Sequence, residues 1–356
     1  MCGIIGYVGK KKAVPVLVGG LKQLEYRGYD SSGIAVLDPT SKPNGLRTIK
    51  AVGKVVELEK KINGKDYGST VGIAHTRWAT HGKPSDRNSH PHSDCSGKIS
   101  LVHNGIIENY RELKELLIGK GHKFSSDTDS EVVAHLIEEF SAKLEFKDAI
   151  LATLNEIRGT YGLAILNADE PGRIYVARLG SPLLLGIGKN ENIIASDASA
   201  IVRYTDKVVY LDDGEMAIVE ADSYEIMTIK NEKIQKKIDV LDWSIEQAQK
   251  QGFDHFMLKE IFEQPAAVSS AMLGRLMVEE GMANLGGLKD VKERLGKINR
   301  IIISSCGTSY YAGLVGEYML EEFAGIPVEV EYASEFRYRS PVIDENTAVL
   351  VISQSG

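Results

Sequence analysis

From Gly3 to Val8 the chain is a short run of apolar and small residues, the pattern of a buried strand. Apolar residues then recur at Val14, Leu17, Val18, Leu21 and Leu24. That spacing predicts one buried helical face over 13–25, with Pro15 near its start, where a missing N–H is tolerated. Strands are expected over 33–37, 46–52, 70–75 and 99–103, and a short helix over 54–62. Asn109 is placed to cap a helix over 110–119 with Leu113, Leu116 and Leu117 inward. Helices are expected again over 130–140 and 146–157. From Tyr161 to Ile229 the pattern shifts to short strands: 161–168, 173–179, 183–188, 192–196, 207–211, 214–220 and 223–229. Turns such as Asp212-Asp213-Gly214 separate them. This order predicts stacked sheets flanked by helices.

Residues 239–252 are polar, end at Gly252 and read as a linker. A helix over 255–276 should break or kink at Pro265. From Asn299 the signal is α/β. A continuous apolar strand over 300–304 leads into the turn Cys306-Gly307-Thr308-Ser309 and a helix over 310–324 with Leu314, Tyr318 and Leu320 among its apolar positions. Strands over 327–332 and 347–352 follow, and the second ends in Ser353-Gln354-Ser355-Gly356.

A length of 356 residues suggests two domains. With 43% apolar and 26% charged residues, the composition is that of a globular protein. A net charge of −7 argues against a nucleic-acid partner, which would require a basic face. No apolar run reaches the ~18 residues of a bilayer span, and no signal-peptide pattern opens the chain. Three scattered cysteines (Cys2, Cys95, Cys306) do not make a disulfide framework, so a reducing cytoplasm is expected.

Several residues carry candidate chemistry. Removal of Met1 would leave Cys2 with a thiol and a free α-amine on one carbon. The amine, with a pKa of about 7.7–8.0, can take the thiol's proton, so one residue supplies nucleophile and base. Attack on a carboxamide needs an oxyanion site, and Asn104 with the Gly105 N–H offers two adjacent donors. Arg77 can hold a carboxylate in a bidentate fork, Asp129 can hold an ammonium, and Trp78 is a natural hydrophobic lid. His75, His81, His90, His92 and Cys95 are dense enough to raise zinc. Their spacing matches neither C-x-x-C nor H-E-x-x-H, so no metal and no cofactor is expected.

Together and in this order these residues closely resemble the class II glutamine amidotransferases, N-terminal-nucleophile enzymes that release ammonia from glutamine. The stretches EYRGYDSSG, HTRWATHG, NSHPH, HNGIIEN and SSDTDSE point within that family to the glucosamine-6-phosphate synthases. The resemblance implies a four-layer αββα sandwich over 2–240, a linker over 241–252, and over 253–356 part of a sugar-isomerase domain built on a doubly wound parallel sheet. It also implies that Cys2 is the nucleophile, that Arg27 and Gly28 support its pocket, and that Asn104 and Gly105 form the oxyanion hole. Arg77 and Asp129 would grip L-glutamine, Trp78 would gate ammonia transfer, and Thr80, His81 and His90 would line the site.

Two Ser/Thr-rich turns, at 306–309 and from 353, each leave a buried strand and can present hydroxyls and free N–H groups to an anion. Helix capping is the plain alternative for either. The turns and ASEFRYR (333–339) resemble the sugar-isomerase half of the same family. By that resemblance Thr308, Ser309, Ser353, Gln354 and Ser355 contact the phosphate of fructose 6-phosphate, and the full-length enzyme is a homodimer. The family continues well past residue 356, so a fragment retaining glutamine hydrolysis without synthesis of glucosamine 6-phosphate is expected. The rivals are an amidophosphoribosyltransferase, whose acidic phosphoribosyl-pyrophosphate loop is not found after 250, a sugar-phosphate-sensing regulator, which would have no use for Cys2, Arg77, Asn104 and Asp129 together, and a degenerate fragment with no activity.

Overall fold

The structure is a computed structural model that describes residues 2–25, 29–38, 45–65, 67–77, 83–241, 253–277, 281–285, 288 and 291–353. It divides into two compact units, Met1–Asn284 and Leu285–Gly356.

The first unit begins with β1 (Gly3–Gly9), α1 (Ala13–Leu24), β2 (Ser31–Leu37), β3 (Leu46–Val52), α2 (Val55–Ile62) and β4 (Val71–Arg77). Next come β5 (His92–Ser93), β6 (Ile99–Ile107), α3 (Tyr110–Gly119), α4 (Glu131–Ser141) and α5 (Phe146–Glu156). The strand-rich stretch supplies β7 (Gly159–Asn167), β8 (Ile174–Leu179), β9 (Leu184–Ile187), β10 (Glu191–Ala195), β11 (Lys207–Tyr210), β12 (Glu215–Val219), β13 (Tyr224–Thr228), β14 (Lys233–Ile234) and β15 (Asp239–Val240). These form an eight-stranded sheet, β15-β11-β9-β10-β1-β4-β2-β3, and a seven-stranded sheet, β14-β13-β12-β8-β7-β6-β5.

Alternation along the strands makes the layers. In β1, Ile5 and Tyr7 join a core with α1 and α2, whereas Ile4 and Val8 join a second core between the sheets. In β7, Leu163 and Ile165 pack with α4 and α5, whereas Ala164 and Leu166 face the inter-sheet core. Successive side chains of a strand point to opposite faces, so both faces of each sheet are covered and three cores separate four layers. This is the αββα sandwich, with β1 in the middle of its sheet between β10 and β4.

Local expectations are corrected in four places. Residue 116 is 52% exposed and only Leu117 of α3 is fully buried, because the helix touches the core along a narrow stripe. Asn109 does not cap α3: its Nδ2 donates to Glu156 O and its Oδ1 accepts from Arg158 N, which ties the helix start to the α5–β7 connection. Strand β6 does not end at residue 103 but continues through Asn104-Gly105 to Ile107. The first unit closes with α6 (Phe256–Met272), which runs through Pro265 rather than ending there, and the small hairpin β16 (Leu276–Met277) and β17 (Met282–Ala283). Arg275 Nε donates to Glu108 Oε1 at 2.6 Å, and Gly274 lies against Gly159 so closely that a Cβ would sit 2.7 Å from its Cα. Those contacts hold the chain after α6 to the first unit.

The second unit contains α7 (Lys292–Leu295), β18 (Arg300–Ser305), α8 (Thr308–Ala324), β19 (Val328–Tyr332), α9 (Ala333–Tyr338) and β20 (Thr347–Ile352). Its three strands are parallel, in the order β19-β18-β20. Gly313 is the buried residue of α8, where a Cβ would meet Val330 and Ile303, and Tyr318 is 74% exposed. The expected apolar face of that helix is therefore only partly used.

Candidate active site

Cys2 stands at the head of β1, and the pairing of Gly3 with Thr76 sets it beside the end of β4, where Arg77 is the last residue. The opposite sheet brings Asn104. Its Nδ2 donates to the Cys2 carbonyl at 3.3 Å, and its Oδ1 meets His75 Nε2 at 2.9 Å. A carbonyl oxygen only accepts, so the amide nitrogen must face Cys2 and the amide oxygen must face His75. His75 must then carry its hydrogen on Nε2. Burial holds it neutral, with its pKa lowered to about 3; the Asn104 bond opposes that shift, and the charges of His103 and Arg77 add to it. A neutral ring with a fixed tautomer thus sets which end of Asn104 points at residue 2.

A second row of histidines supports His75. The His90 ring stacks on it with centroids 4.2 Å apart, and His90 Nδ1 accepts the His103 backbone N–H at 3.2 Å. His103 Nδ1 meets Ser130 Oγ at 2.8 Å, and His92 Nε2 meets Thr128 Oγ1 at 3.1 Å. Burial, followed by neighbouring positive charge, pushes His90 and His92 well below the ordinary histidine range. His75 and His90 are thus stacked neutral rings, with neutral His92 edge-on to His90.

Gly105 has φ +130°, and a Cβ there would lie 2.1 Å from Thr160 O, so a side chain is excluded by both conformation and space. Glycine is what lets β6 keep its pairing with β7 past Asn104. Asp129 is buried at the start of α4, with Oδ2 accepting the Ile107 N–H at 2.7 Å. The turn before it is tied by Glu131, which accepts from the N–H and hydroxyl groups of Ser125 and Ser126 at 2.6 to 2.7 Å. Arg77 is buried and lies 3.9 Å from Asp30 Oδ1, whose backbone N–H bonds Arg77 O at 2.7 Å.

Of the residues singled out from sequence, Cys2, Arg77, His90, Asn104, Gly105 and Asp129 gather at this end of the two sheets. Arg27, Gly28, Trp78, Thr80 and His81 lie outside the described residues. Sequence reasoning missed His75, His103, Ser130 and Glu131 as the groups that hold the others. The only available signal was the density of His and Ser beside the motifs. In the second unit, Thr308 and Ser309 open α8 directly after β18, and Ser353 follows the neighbouring parallel strand β20, with Ser305 in register with Ile352. Both turns thus leave the same end of the sheet; Gln354 and Ser355 lie outside the described residues.

Residues 75–203 match the model of a glutamine amidotransferase domain, and residues 294–356 match that of an SIS domain. Along its whole length the chain is 54% identical to an isomerizing glutamine–fructose-6-phosphate aminotransferase of Chlorobaculum tepidum and 50% identical to those of Bacteroides thetaiotaomicron and Pyrococcus horikoshii. The chain is similar to these aminotransferases from end to end and carries a glutamine amidotransferase domain followed by an SIS domain. It spans 58% of the length of these relatives. Among solved structures, the glutamine phosphoribosylpyrophosphate amidotransferase of B. subtilis matches 92% of this chain and 65% of its own, at TM-score 0.55 and 23% identity. An allosteric regulatory enzyme of purine biosynthesis matches 93% of this chain and 80% of its own, at TM-score 0.58 and 22% identity. Those two likenesses carry the fold alone, the αββα sandwich. Among the described residues no helix is long and apolar enough to cross a membrane.

Proposed function

We propose that the first unit hydrolyses L-glutamine and that the ammonia serves amination of fructose 6-phosphate to glucosamine 6-phosphate, the reaction for which the family's members are named. In this reading Met1 is removed and the Cys2 α-amine takes the thiol proton. The sulfur attacks the glutamine side-chain carbonyl, and the oxyanion rests on Asn104 Nδ2 and the Gly105 N–H. The amine returns the proton to the leaving nitrogen, ammonia departs, and water hydrolyses the thioester to glutamate. Arg77 takes the substrate carboxylate and Asp129 its ammonium. Arg27 and Gly28 support the pocket, Thr80, His81 and His90 line it, and Trp78 gates ammonia. Thr308, Ser309, Ser353, Gln354 and Ser355 take the sugar phosphate. The glutaminase domain is assigned to 2–240, the linker to 241–252 and the sugar-isomerase domain from 253. The assembly is a homodimer working in a reducing cytoplasm.

The observation that supports this reading most is the hydrogen bond from Asn104 Nδ2 to the Cys2 carbonyl, with His75 fixing the amide from behind. It sets an oriented donor within reach of the residue that must become the N-terminus. The test is ammonia release from L-glutamine with an intact mass of the same sample. Glutamate and ammonia from protein lacking Met1, abolished in Cys2→Ala, support the reading. Absence of both products from protein whose mass shows Met1 removed overturns it.

A further inference from the structure

Cys95, which its sequence neighbours His90 and His92 made a candidate partner, lies elsewhere in the fold. It sits in the turn between β5 and β6, beside His122 from the α3–α4 connection and beside His135 and Glu138, one helical turn apart on α4. Cys95 Sγ is 3.6 Å from His122 Nδ1 and 3.4 Å from His135 Nδ1. The two Nδ1 atoms are 3.3 Å apart, and Glu138 Oε2 lies 3.0 Å from the first and 3.4 Å from the second. All four donor atoms lie within 4.8 Å of one another.

We propose that these four side chains bind one zinc ion that staples the β5–β6 turn and the α3–α4 connection to α4. Tetrahedral zinc holds sulfur at about 2.3 Å and nitrogen or oxygen at about 2.0–2.2 Å, which sets donor-to-donor separations of about 3.3–3.6 Å. The observed edges scatter around that range. His122 Nδ1 faces a sulfur, a second imidazole nitrogen and a carboxylate oxygen at once, and the single hydrogen it can carry serves one of the three, while Glu138 Oε2 also accepts the Cys95 backbone N–H at 3.1 Å. A cation at the centre serves all four donors. One sulfur, two imidazoles and one carboxylate form a closed set that suits zinc, and a thiolate plus a carboxylate balance its double charge.

The surroundings fit the same ion. The Lys123 backbone N–H points to Cys95 Sγ at 3.4 Å, a bond that supports a thiolate. His122 Nε2 meets Glu139 Oε2 at 3.3 Å, and Lys120 Nζ donates to Glu139 Oε1 at 2.7 Å, so a carboxylate orients the ring whose other nitrogen faces the ion. His135 Nε2 faces Glu131 Oε1 at 3.7 Å. The staple joins elements that carry Asn104 and Asp129 but shares no ligand with the glutamine site.

The full chain, purified without chelator from zinc-supplemented cells, should hold about one zinc per chain by elemental analysis. Cys2→Ala should keep it, whereas Cys95→Ser should hold less than about a tenth as much. Cobalt loaded in place of zinc should show a thiolate charge-transfer band that Cys95→Ser lacks. If Cys95→Ser does not fold, Glu138→Gln preserves side-chain volume and should lose zinc to a chromophoric chelator at least about tenfold more readily. Zinc-free protein that neither competes with that chelator nor gains thermal stability from added zinc would overturn the proposal. So would zinc that persists in Cys95→Ser, or that is lost in Cys2→Ala alone.

Discussion

Two groups of histidines lie in the first unit, and their nitrogens are arranged differently. His75, His90, His92 and His103 form a buried row in which rings stack and nitrogens meet neutral partners: an amide oxygen, a backbone N–H and hydroxyls. His122 and His135 instead turn their Nδ1 atoms toward one point, shared with a sulfur and a carboxylate. Residue type is the same in both groups; the direction of the lone pairs is not. Divergent nitrogens in a dry interior stay neutral and orient a neighbour, whereas convergent nitrogens beside anionic donors make a cation site.

Acid should separate the two groups most strongly. His75, His90 and His92 are neutral when folded and would protonate once unfolded, with an ordinary pKa near 6.5. The unfolded chain then binds more protons, so stability is complete above 6.5 and falls as pH drops from 6.5 toward about 3, the value to which burial lowers His75 in the fold. His75 contributes about 1.4 kcal/mol per pH unit inside that window, and His90 and His92 act in the same direction. Urea midpoints of chelator-treated protein between pH 7 and pH 5 measure this without the metal. A flat profile there would mean that the stacked rings are not held neutral.

Asn104→Ala comes next. Loss of one oxyanion donor should lower kcat for glutamine hydrolysis by about 10² to 10³, roughly 3–4 kcal/mol, with glutamine binding by calorimetry little changed. His75→Phe keeps the stack but removes the Nε2–H. It should cost about 1–2 kcal/mol, near tenfold in kcat, because Asn104 Oδ1 is left buried without a donor. Zinc content should not change in that variant, and a fall in zinc would join the two groups. The smallest effect belongs to Glu139→Gln, which should weaken zinc affinity about tenfold through the His122 ring while leaving glutamine hydrolysis at the wild-type rate. A fall in hydrolysis equal to the fall in affinity would mean that one group depends on the other.

The two units contrast in a similar way. In the sandwich, alternation on nearly every strand has a layer to meet on each face. In the parallel unit Tyr311, Val315, Tyr318, Met319 and Phe323 of α8 are exposed despite their helical spacing. A periodic stripe therefore states which residues share a face and not whether anything covers it. Leu116 and Leu117 make the same point within one helix.

The sequence by itself did not give the short strands such as β5 and β15, the latter inside the stretch read as a linker. It determined the longer helices and strands, the change from sandwich to parallel sheet, and the motif residues at Cys2, Arg77, Asn104, Gly105 and Asp129. These are legible because period, turn chemistry and short motifs are local properties of a chain. Only the tertiary structure decided what each polar residue faces. It gave Asn109 to the α5–β7 connection instead of its own helix, put His75 behind Asn104, and carried Cys95 away from His90 and His92 to His122 and His135. Those partners are 27 to 49 residues apart in the chain. Pairing over such distances is set by which strands and helices become neighbours, and no local pattern records it.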